Sequence, residues 1–338
     1  MGGKHAVTAA VLACLALALA PLALAGPGGI SPPDPKTDSG EAISELYWFV
    51  FAITAFVFVV VETSLVLFIV RYRRRPTTPE DAEGPQIHGN TRIEVIWTIV
   101  PALILVGIAA VVLARVPAVQ ADEGSDGGGI TVRVEAHQFY WQYVYENGVV
   151  SLDRLVLPVD THVTLELISY DVDHSWWVPE LTGKLDAIPG QKNTLEFQPN
   201  EEGTYEGQCA EHCGIQHAVM RTDVDVVPGA EFDEWLSSQE AAQGRADPGF
   251  GGTIFAAACA KCHGEEGEGD IGPEIAGNAT LQDRGGLIRL LREGQDTPAL
   301  AGFMPRVGRG WPDAQYDALI AYVKSVPKLA GGGNGSGG

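Results

Sequence analysis

Basic residues and soft metal-binding side chains are both scarce in this 338-residue sequence. Lysine and arginine total 22 against 43 aspartates and glutamates, a net charge of −21, which excludes a nucleic-acid-binding protein. Three methionines, five cysteines and eight scattered histidines leave few candidate metal ligands, so the position of each one is informative. Internal repeats are also absent, which excludes a repeat architecture.

The first 25 residues have the pattern of a secretory leader. Lys4 precedes an apolar run that ends in small residues, as in a cleaved signal peptide. Cys14 follows "VLA", and a lipidation site there is the alternative, although most of the apolar run lies after it. We predict a signal peptide over 1–25 and an extracytoplasmic segment over 26–45.

Two long apolar segments follow the leader. Residues 46–70 carry one charge, Glu62, and residues 94–115 carry only a glutamate at their start and an arginine at their end. About 20 apolar residues span a bilayer as a helix, and soluble helices rarely lack a polar face for that length. Arginines crowd residues 71–93, which predicts a cytoplasmic loop and places the rest of the chain outside the cytoplasm. We expect Glu62 to face a protein partner.

Short alternating strands begin after a spacer at 116–129. The stretches "ITVRVEA", "VTLEL" and "DVDVV" alternate apolar and polar residues between turn signals, which predicts an antiparallel β-sandwich over 130–228. A polar linker with one short helix covers 229–248. Helical periodicity covers 249–328, and the glycine-rich 329–338 is typical of a disordered tail. The chain is therefore multidomain: a transmembrane helix pair, a β-sandwich and an all-α domain.

The all-α segment contains the motif "CAKCH". Two thiols, Cys259 and Cys262, followed at once by His263 are typical of covalent haem c attachment; a redox dithiol or half of a zinc site is the minor alternative. An electron-transfer haem needs a second axial ligand. Met304 is the candidate, since it lies in a segment bounded by glycine and proline. Residues 249–326 resemble class I cytochromes c, and this resemblance implies that the carbonyl of Pro273 orients the histidine ring.

A second group of soft ligands occupies "CAEHCGIQHAVM". Cys209, Cys213, His217 and Met220 lie between two predicted strands, and thiolate, imidazole and thioether together suit copper. Two cysteines four apart can both bridge a pair of copper ions. A disulfide or a zinc site is the minor alternative, because a disulfide leaves the other two side chains unexplained and zinc does not favour a thioether. A binuclear site needs a second histidine, and His174 in "DHSWWVPEL" is the candidate.

Residues 45–228 resemble subunit II of haem-copper cytochrome c oxidases. The stretches "HSWWVPEL", "GKLDAIPG", "CAEHCGIQHAVM" and "IEVIWTIVPA" carry the resemblance, together with the helix hairpin. With the haem segment appended, the chain is similar to the subunit II variant that carries its own haem c. The resemblance implies a cupredoxin-like Greek key and a binuclear copper A centre. The copper ligands it implies are His174, Cys209, the carbonyl of Glu211, Cys213, His217 and Met220.

The same resemblance implies further site roles. The carboxylate of Glu211 would bind a magnesium ion shared with subunit I. Glu94 would lie near the entrance of a proton channel in subunit I, with a snorkelling helix-end acid as the alternative. The stretch "HQFYWQY" would be where electrons enter; Phe139 stands where the family usually has tryptophan, and Trp141 is the nearest retained indole. His212 is interpreted as a neighbour of the ligands rather than a ligand.

The resemblance thus implies an electron-receiving subunit of an aerobic terminal oxidase in a bacterial plasma membrane, with the copper and haem domains on the periplasmic side. The implied partners are subunit I with its haem a groups and copper B, subunit III, membrane lipid, and an external donor such as a quinol-cytochrome c oxidoreductase complex or a soluble cytochrome c. Oxygen would be reduced to water in subunit I with proton pumping. The linker of about 20 residues would keep the haem domain at high local concentration near the copper site.

Two other functions are alternatives. A free-standing, membrane-anchored electron carrier or copper-delivery module would use the same two sites without an oxidase. Nitrous oxide reduction would need a further histidine-rich copper site, which eight scattered histidines cannot supply. Co-purification with a large multi-haem membrane subunit distinguishes an oxidase subunit from a free-standing module.

Overall fold

The computed structural model describes residues 31–73, 86–120, 129–244, 247–297 and 302–330. The predicted signal peptide, Arg74 and Arg75 in the predicted cytoplasmic loop, and most of the spacer and of the tail lie outside the described residues. The chain divides into two compact units, one of Met1–Asp34 with Glu41–Val119 and one of Pro35–Gly40 with Gln120–Gly338. Each unit is described by itself below.

Two long apolar helices dominate the first unit. Helix α1 covers Asp38–Tyr72 and helix α2 covers Thr91–Gln120. Both are long and apolar enough to cross a membrane. They extend beyond the predicted 46–70 and 94–115: the polar first turns of both helices are helical, and α2 continues from Arg115 to Gln120. Large apolar side chains such as Phe56 and Leu103 are exposed, as expected of surfaces that lipid or another apolar partner covers.

The second unit contains a two-layer β-sandwich of ten strands. The strands are β1 Ile130–His137, β2 Tyr140–Tyr145, β3 Val150–Leu152, β4 Arg154–Pro158, β5 Val163–Ser169, β6 His174–Trp177, β7 Leu185–Ala187, β8 Asn193–Phe197, β9 Gly203–Cys209 and β10 Arg221–Val227. One sheet has the order β3-β2-β1-β5-β8 and the other the order β4-β10-β9-β6-β7. Most neighbouring pairs are antiparallel, but β1 pairs with β5 and β4 pairs with β10 in parallel.

Alternation along the strands builds the sandwich core. In β5 every second residue is buried and the residues between are half-buried, so the predicted period of two is confirmed. Trp141 and Trp176 are fully buried, together with Leu165 and Leu167. Burying such a side chain stabilises the fold by roughly 1.5–3 kcal/mol. This core fixes the ends of β6, β9 and β10, where the candidate copper ligands lie.

Four main helices and a short hairpin follow the sandwich among the described residues. Helix α3, Gly229–Gln243, packs its aromatic side chains Phe232 and Trp235 against Tyr145 of β2. The predicted linker is thus mostly a packed helix. The helical domain consists of α4 Pro248–Phe255, which continues through a π-helical turn Ala256–Ala260 into Lys261–His263, then α5 Arg284–Glu293, the hairpin β11 Gln295–Thr297 and β12 Gly302–Met304, and α6 Asp313–Ser325.

The helical domain is docked on the sandwich. Tyr140, Val150 and Leu152 of the sandwich belong to the same buried apolar cluster as Trp311 of the helical domain. The Tyr140 hydroxyl accepts a hydrogen bond from the Trp311 indole at 2.8 Å and lies in the same cluster. The helical domain therefore contacts the sandwich through a packed interface and not only through the predicted linker. Leu329 is also fully buried in this cluster, so the domain reaches one residue into the predicted tail.

Candidate metal centres

The candidate copper ligands are gathered by strand pairing at one end of the second sheet. Cys209 is the last residue of β9, and Met220 directly precedes β10. The Cys209 amide donates to the Met220 carbonyl at 2.9 Å, which closes the loop between them. His174 is the first residue of β6, and β6 pairs with β9 so that Trp176 lies opposite Cys209. Cys209 therefore belongs to the sheet itself, whereas the sequence predicted it to lie between two strands.

Two buried thiols form the centre of the site. The Sγ atoms of Cys209 and Cys213 lie 3.9 Å apart, and both cysteines are free. His174 Nδ1 lies 3.9 Å from the Cys209 sulfur. His217 Nδ1 lies 3.7 Å from the Cys213 sulfur. One imidazole nitrogen thus faces each thiol, and the disulfide alternative is not what the structure contains.

A thioether and a carbonyl complete the group. Met220 is fully buried, with its Sδ atom 3.8 Å from the Cys213 sulfur. The backbone oxygen of Glu211 lies 3.2 Å from the Cys209 sulfur. The ligand atoms of His174, Cys209 and Cys213 all lie within 4.8 Å of one another. The four other predicted donor groups therefore surround the two cysteine sulfurs, and the six together are a set of soft and borderline donors that suits copper.

The two thiols share a hydrogen bond between their sulfurs. This bond lowers the pKa of Cys209 and raises the pKa of Cys213, because it stabilises a state with one thiolate and one thiol. Both side chains are buried, where repulsion between two thiolates is strong. A cation with sulfur affinity removes this conflict, so the electrostatics of the pair fit a bound metal.

Asp171 orients the first histidine. Its Oδ1 atom lies 2.8 Å from His174 Nε2, which leaves Nδ1 facing the Cys209 sulfur. Burial acts to lower the pKa of His174, but hydrogen bonds to Asp171 and Cys209 outweigh it and raise the pKa. Carboxylates in this position fix the ring and raise its basicity as a ligand. Asp171 was not among the predicted site residues, although it lies only three residues before His174 in the sequence.

The haem-attachment motif ends a helix inside the helical domain. Cys259 is buried and Cys262 half-buried, and burial raises the pKa of both thiols. His263 Nδ1 lies 2.7 Å from the Pro273 carbonyl, the hydrogen bond that the resemblance to cytochromes c implies. This hydrogen bond orients the ring and leaves Nε2 free to bind iron. These residues therefore fit a c-type haem.

Met304 lies on the short hairpin rather than in an irregular loop. It ends β12, where it pairs with Gln295 of β11. Its side chain is half-buried and packs against the apolar cluster of the helical domain. Gly294, at a φ of 71°, has no room for a side chain because a Cβ there would lie 2.6 Å from the Met304 carbonyl. The hairpin thus holds Met304 at the edge of the domain core.

The two aromatic residues predicted to receive electrons are both covered. Phe139 is 6% exposed and Trp141 is fully buried. The Phe139 ring packs on the copper loop, the segment from Cys209 to Arg221 that joins β9 to β10. A Cβ on Gly214 of this loop would lie only 2.9 Å from the ring. The Trp141 ring lies 6.0 Å from the His174 ring, centroid to centroid. In the docked arrangement an external protein cannot contact either ring, and their role in electron transfer stays a prediction.

The remaining predicted residues have simpler surroundings. Glu94 accepts a hydrogen bond from the Asn90 amide at 3.0 Å, and the Asn90 side chain accepts from Arg92 in return, so Glu94 caps the start of α2. The side chain of Glu211 is exposed. The ring of His212 is also exposed and lies 5.5 Å from that of His217, outside the group of donor atoms around the sulfurs.

Comparisons with known proteins assign this arrangement to a family. Residues 26–114 match the transmembrane domain of cytochrome c oxidase subunit II, and residues 149–227 match its periplasmic domain. Cytochrome c oxidase subunit 2 of Alkalihalophilus pseudofirmus is 32% identical over 317 residues, covering 87% of this chain and 90% of that protein. This chain belongs to the cytochrome c oxidase subunit 2 family. The Arabidopsis thaliana subunit 2 is 32% identical over 260 residues, 68% of this chain and 96% of that protein.

The other comparisons concern single domains of this subunit 2 chain. Residues 246–323 match the family described as cbb3-type cytochrome c oxidase subunit III. The crystal structure of the periplasmic domain of subunit II from Bradyrhizobium japonicum is 27% identical, with a TM-score of 0.33, and covers 34% of this chain and 95% of that chain.

Family membership confirms the predicted domain types and the prediction that the chain is an oxidase subunit. The chain is a membrane-anchored oxidase subunit with two apolar helices, a cupredoxin-like sandwich and a cytochrome c domain. Subunit 2 implies a copper A site, and the cytochrome domain implies haem. Members of this family act together with other oxidase subunits.

Proposed function

We propose that this subunit receives electrons at a covalently bound haem c, passes them to a binuclear copper A centre and delivers them to subunit I of the oxidase. One observation carries the proposal: four donor groups, from His174 and from the segment 209–220, converge on the pair of buried thiols of Cys209 and Cys213. Copper bound there would supply a one-electron redox couple. The roles of the chain's own residues follow from where the structure places them.

The sandwich pre-forms the copper site. Cys209, Cys213, His174 and His217 would hold the two copper ions. The thioether of Met220 and the carbonyl of Glu211 are the weak ligands. Because the loop is closed by strand pairing and the thiols are buried, the ligands are held in place and water is excluded. Such rigidity favours electron transfer, since little rearrangement accompanies a change in charge.

The helical domain pre-forms the haem site in the same way. Cys259 and Cys262 would form thioether bonds, and His263, oriented by Pro273, would bind the iron. We assign Met304 as the second residue that would hold the haem iron, because its side chain packs at the edge of the domain core on a strand that pairs with β11. Thioether ligation raises the haem potential, as an electron donor to an oxidase requires.

Several finer assignments complete the proposal. The exposed carboxylate of Glu211 would bind magnesium at the interface with subunit I, and Glu94 would combine its capping bond with a position near a proton channel there. Subunit III and an external quinol-cytochrome c oxidoreductase complex or soluble cytochrome c are the proposed further partners. We place the chain in a bacterial plasma membrane with the sandwich and the haem domain on the periplasmic side, as the arginines of 71–93 predict. The family assignment supports this function over a free-standing carrier.

Low-temperature EPR and a covalent-haem stain of the purified full chain test the proposal. We expect the mixed-valence signal of two equivalent copper ions and one haem that stays attached under denaturing conditions. Cys213→Ser should abolish the two-copper signal, whereas His212→Ala, a matched control at an exposed histidine in the same loop, should retain it. A single-copper spectrum from the unmodified chain would refute the copper assignment, and haem lost on denaturation would refute the covalent attachment.

A further inference from the structure

Lys261 joins the haem-attachment turn, residues Cys259 to His263, to the sandwich. It lies between the two cysteines of the motif, yet its side chain points away from the helical domain. Its ammonium group donates to the Asp153 carboxylate and to the Phe139 carbonyl, the latter at 3.0 Å. Its own carbonyl accepts a hydrogen bond from the Gln216 side chain at 2.8 Å. One residue of the motif therefore contacts three separate segments of the sandwich.

Two of these segments belong to the surroundings of the copper site. Gln216 directly precedes His217, so its hydrogen bond to the Lys261 carbonyl ties the copper loop to the haem-attachment turn. Phe139 packs on the same loop at Gly214. Its neighbour Gln138 donates to the Cys213 carbonyl at 2.6 Å. The contact around Lys261 is thus continuous with the backbone that carries the second thiol.

The third segment is a rigid acceptor. Asp153 adopts a left-handed conformation, with a φ of 54°, which is uncommon for a residue other than glycine. Its amide donates to the Trp141 carbonyl and its Oδ1 atom accepts from the Trp141 amide, both at 2.8 Å. These bonds direct the other carboxylate oxygen at Lys261 across the interface. The side chains of both partners of this ion pair are less than a quarter exposed, so solvent screens the pair less than it would a surface pair.

A wider packed interface surrounds this contact. The Tyr140 hydroxyl donates to the Val307 carbonyl at 2.5 Å, and the Gln315 amide donates to the Gln142 side chain at 2.8 Å. Arg309 donates to the Tyr170 carbonyl at 3.0 Å. The helical domain therefore has a single preferred position on the sandwich, and Lys261 lies where that position brings the two metal-binding motifs together.

We propose that Lys261 is a positioning residue that fixes the haem-attachment turn against the copper loop, so that electrons cross at the Gln216–Lys261 contact within a permanently docked domain. The inference rests on the proposed function for the identity of the two centres. In this step one electron leaves the haem iron, which is oxidised, and enters the copper centre, which is reduced; no bond forms or breaks and no proton moves.

The test compares the full chain, purified in detergent with haem and copper, with the variant Lys261→Gln. Hydrogen exchange of the Trp141 and Asp153 amides reports docking without depending on activity, since both lie directly behind the ion pair. We expect about tenfold faster exchange at these amides, because breaking a partly buried charge pair increases opening of the interface. Electron transfer from haem to copper after rapid photoreduction should slow, while the optical and EPR spectra of both centres stay unchanged.

Lys328→Gln is the matched control. Lys328 pairs with Glu266 inside the helical domain, so its loss removes an ion pair without touching the interface. Exchange and transfer rates should match those of the unmodified chain. If Lys261→Gln prevents haem attachment, Asp153→Asn removes the same ion pair from the sandwich side and leaves the motif intact.

The outcomes separate the two proposals. Unchanged exchange and an unchanged transfer rate in both interface variants would overturn the positioning role. Faster exchange with an unchanged transfer rate would overturn the electron-transfer contact at Lys261. A full chain that lacks a two-copper signal or a covalent haem would instead count against the proposed function, while the exchange measurement would still decide whether Lys261 fixes the domain.

Discussion

Ligand side chains in this protein are oriented by neighbours that are not ligands themselves. Asp171 fixes the ring of His174, and the Pro273 carbonyl fixes the ring of His263. Both contacts leave a single ring nitrogen for the metal, Nδ1 in the first case and Nε2 in the second. Two histidines with the same chemistry therefore present different atoms, because different neighbours hold them.

Removing the Asp171 carboxylate should weaken copper binding. In Asp171→Asn the His174 ring loses its charged partner at 2.8 Å, and we expect about 10–100-fold lower copper affinity, measured by competition with a chelator. Asp173→Asn is the control, since Asp173 is exposed and lies on the other side of the intervening valine. Equal affinities for the two variants would mean that Asp171 does not support the ligand.

His137 makes the stability of the chain dependent on pH. It is fully buried between the rings of Tyr140 and Tyr170, and neither ring nitrogen has a hydrogen-bond partner among the described residues. Burial lowers its pKa to about 4. Between that value and the ordinary pKa near 6.5, the unfolded chain binds a proton that the folded chain does not. Folding stability is therefore lost as pH falls from 6.5 towards 4, by up to about 3 kcal/mol from this residue.

A phenyl ring at this position should remove that dependence. We expect the difference in melting temperature between pH 6.5 and pH 5 to be smaller in His137→Phe than in the unmodified chain, because a phenyl ring keeps the stacking and cannot be protonated. His162→Gln, at a histidine that is only half-buried, should leave the difference unchanged. The same pH dependence in His137→Phe would show that other groups cause it.

At the scale of elements, each metal-binding motif sits where a regular element ends. The copper loop runs from the last residue of β9 to the first residue of β10, and the haem-attachment motif ends a helix that contains a π-helical turn at Ala256–Ala260. Such turns are rare and occur often at functional sites. Cys209 and the haem-attachment motif lie at the ends of regular elements, and the loop after Cys209 brings Cys213, His217 and Met220 to the first thiol.

The β11–β12 hairpin is an element whose role Met304 tests. In Met304→Ala we expect the haem to stay attached, because its thioether bonds to Cys259 and Cys262 are not affected. The reduction potential should fall by a fraction of the roughly 0.8 V over which axial ligands set haem potentials, and redox titration measures it. Met220→Leu is the comparison: it should leave the haem potential unchanged and alter the copper signal. An unchanged haem potential in Met304→Ala would exclude Met304 as the ligand.

At the scale of the whole molecule, the helical domain covers an apolar face of the sandwich. Tyr140, Val150 and Leu152 are at most 6% exposed, and the cluster that buries them belongs mainly to the helical domain. A sandwich that worked alone would expose these side chains to water, and contiguous apolar patches of this kind promote association.

Removing residues 245–338 should therefore destabilise the sandwich. We expect the truncated chain to bind more of a fluorescent hydrophobic probe and to melt at least about 10 °C lower, since the three side chains together lose several kcal/mol of burial and 1 kcal/mol shifts the melting temperature by roughly 4–8 °C in a domain of about 100 residues. Removing only residues 331–338 is the control. A truncated chain with the same melting temperature and no added probe binding would show that the domains fold independently.

Most of the fold could be predicted from local patterns. Strand alternation in "VTLEL", two apolar stretches of membrane length and the spacing of "CAKCH" depend on neighbours along the chain, so they are visible in the sequence. The donor types of the copper site were visible for the same reason. His174 was predicted because a binuclear site lacked one ligand, not because any local pattern places it beside Cys209.

The sequence by itself determined which elements form and which ligand chemistries are present, because these follow from residue type and short-range spacing. The tertiary structure alone decided what lies beside them. The ion pair of Lys261 with Asp153 and the packing of Phe139 on Gly214 join residues that only the packed fold brings together. Docking of the haem domain was decided there too, since the sequence around a side chain such as Tyr140 in β2 does not indicate which domain will cover it.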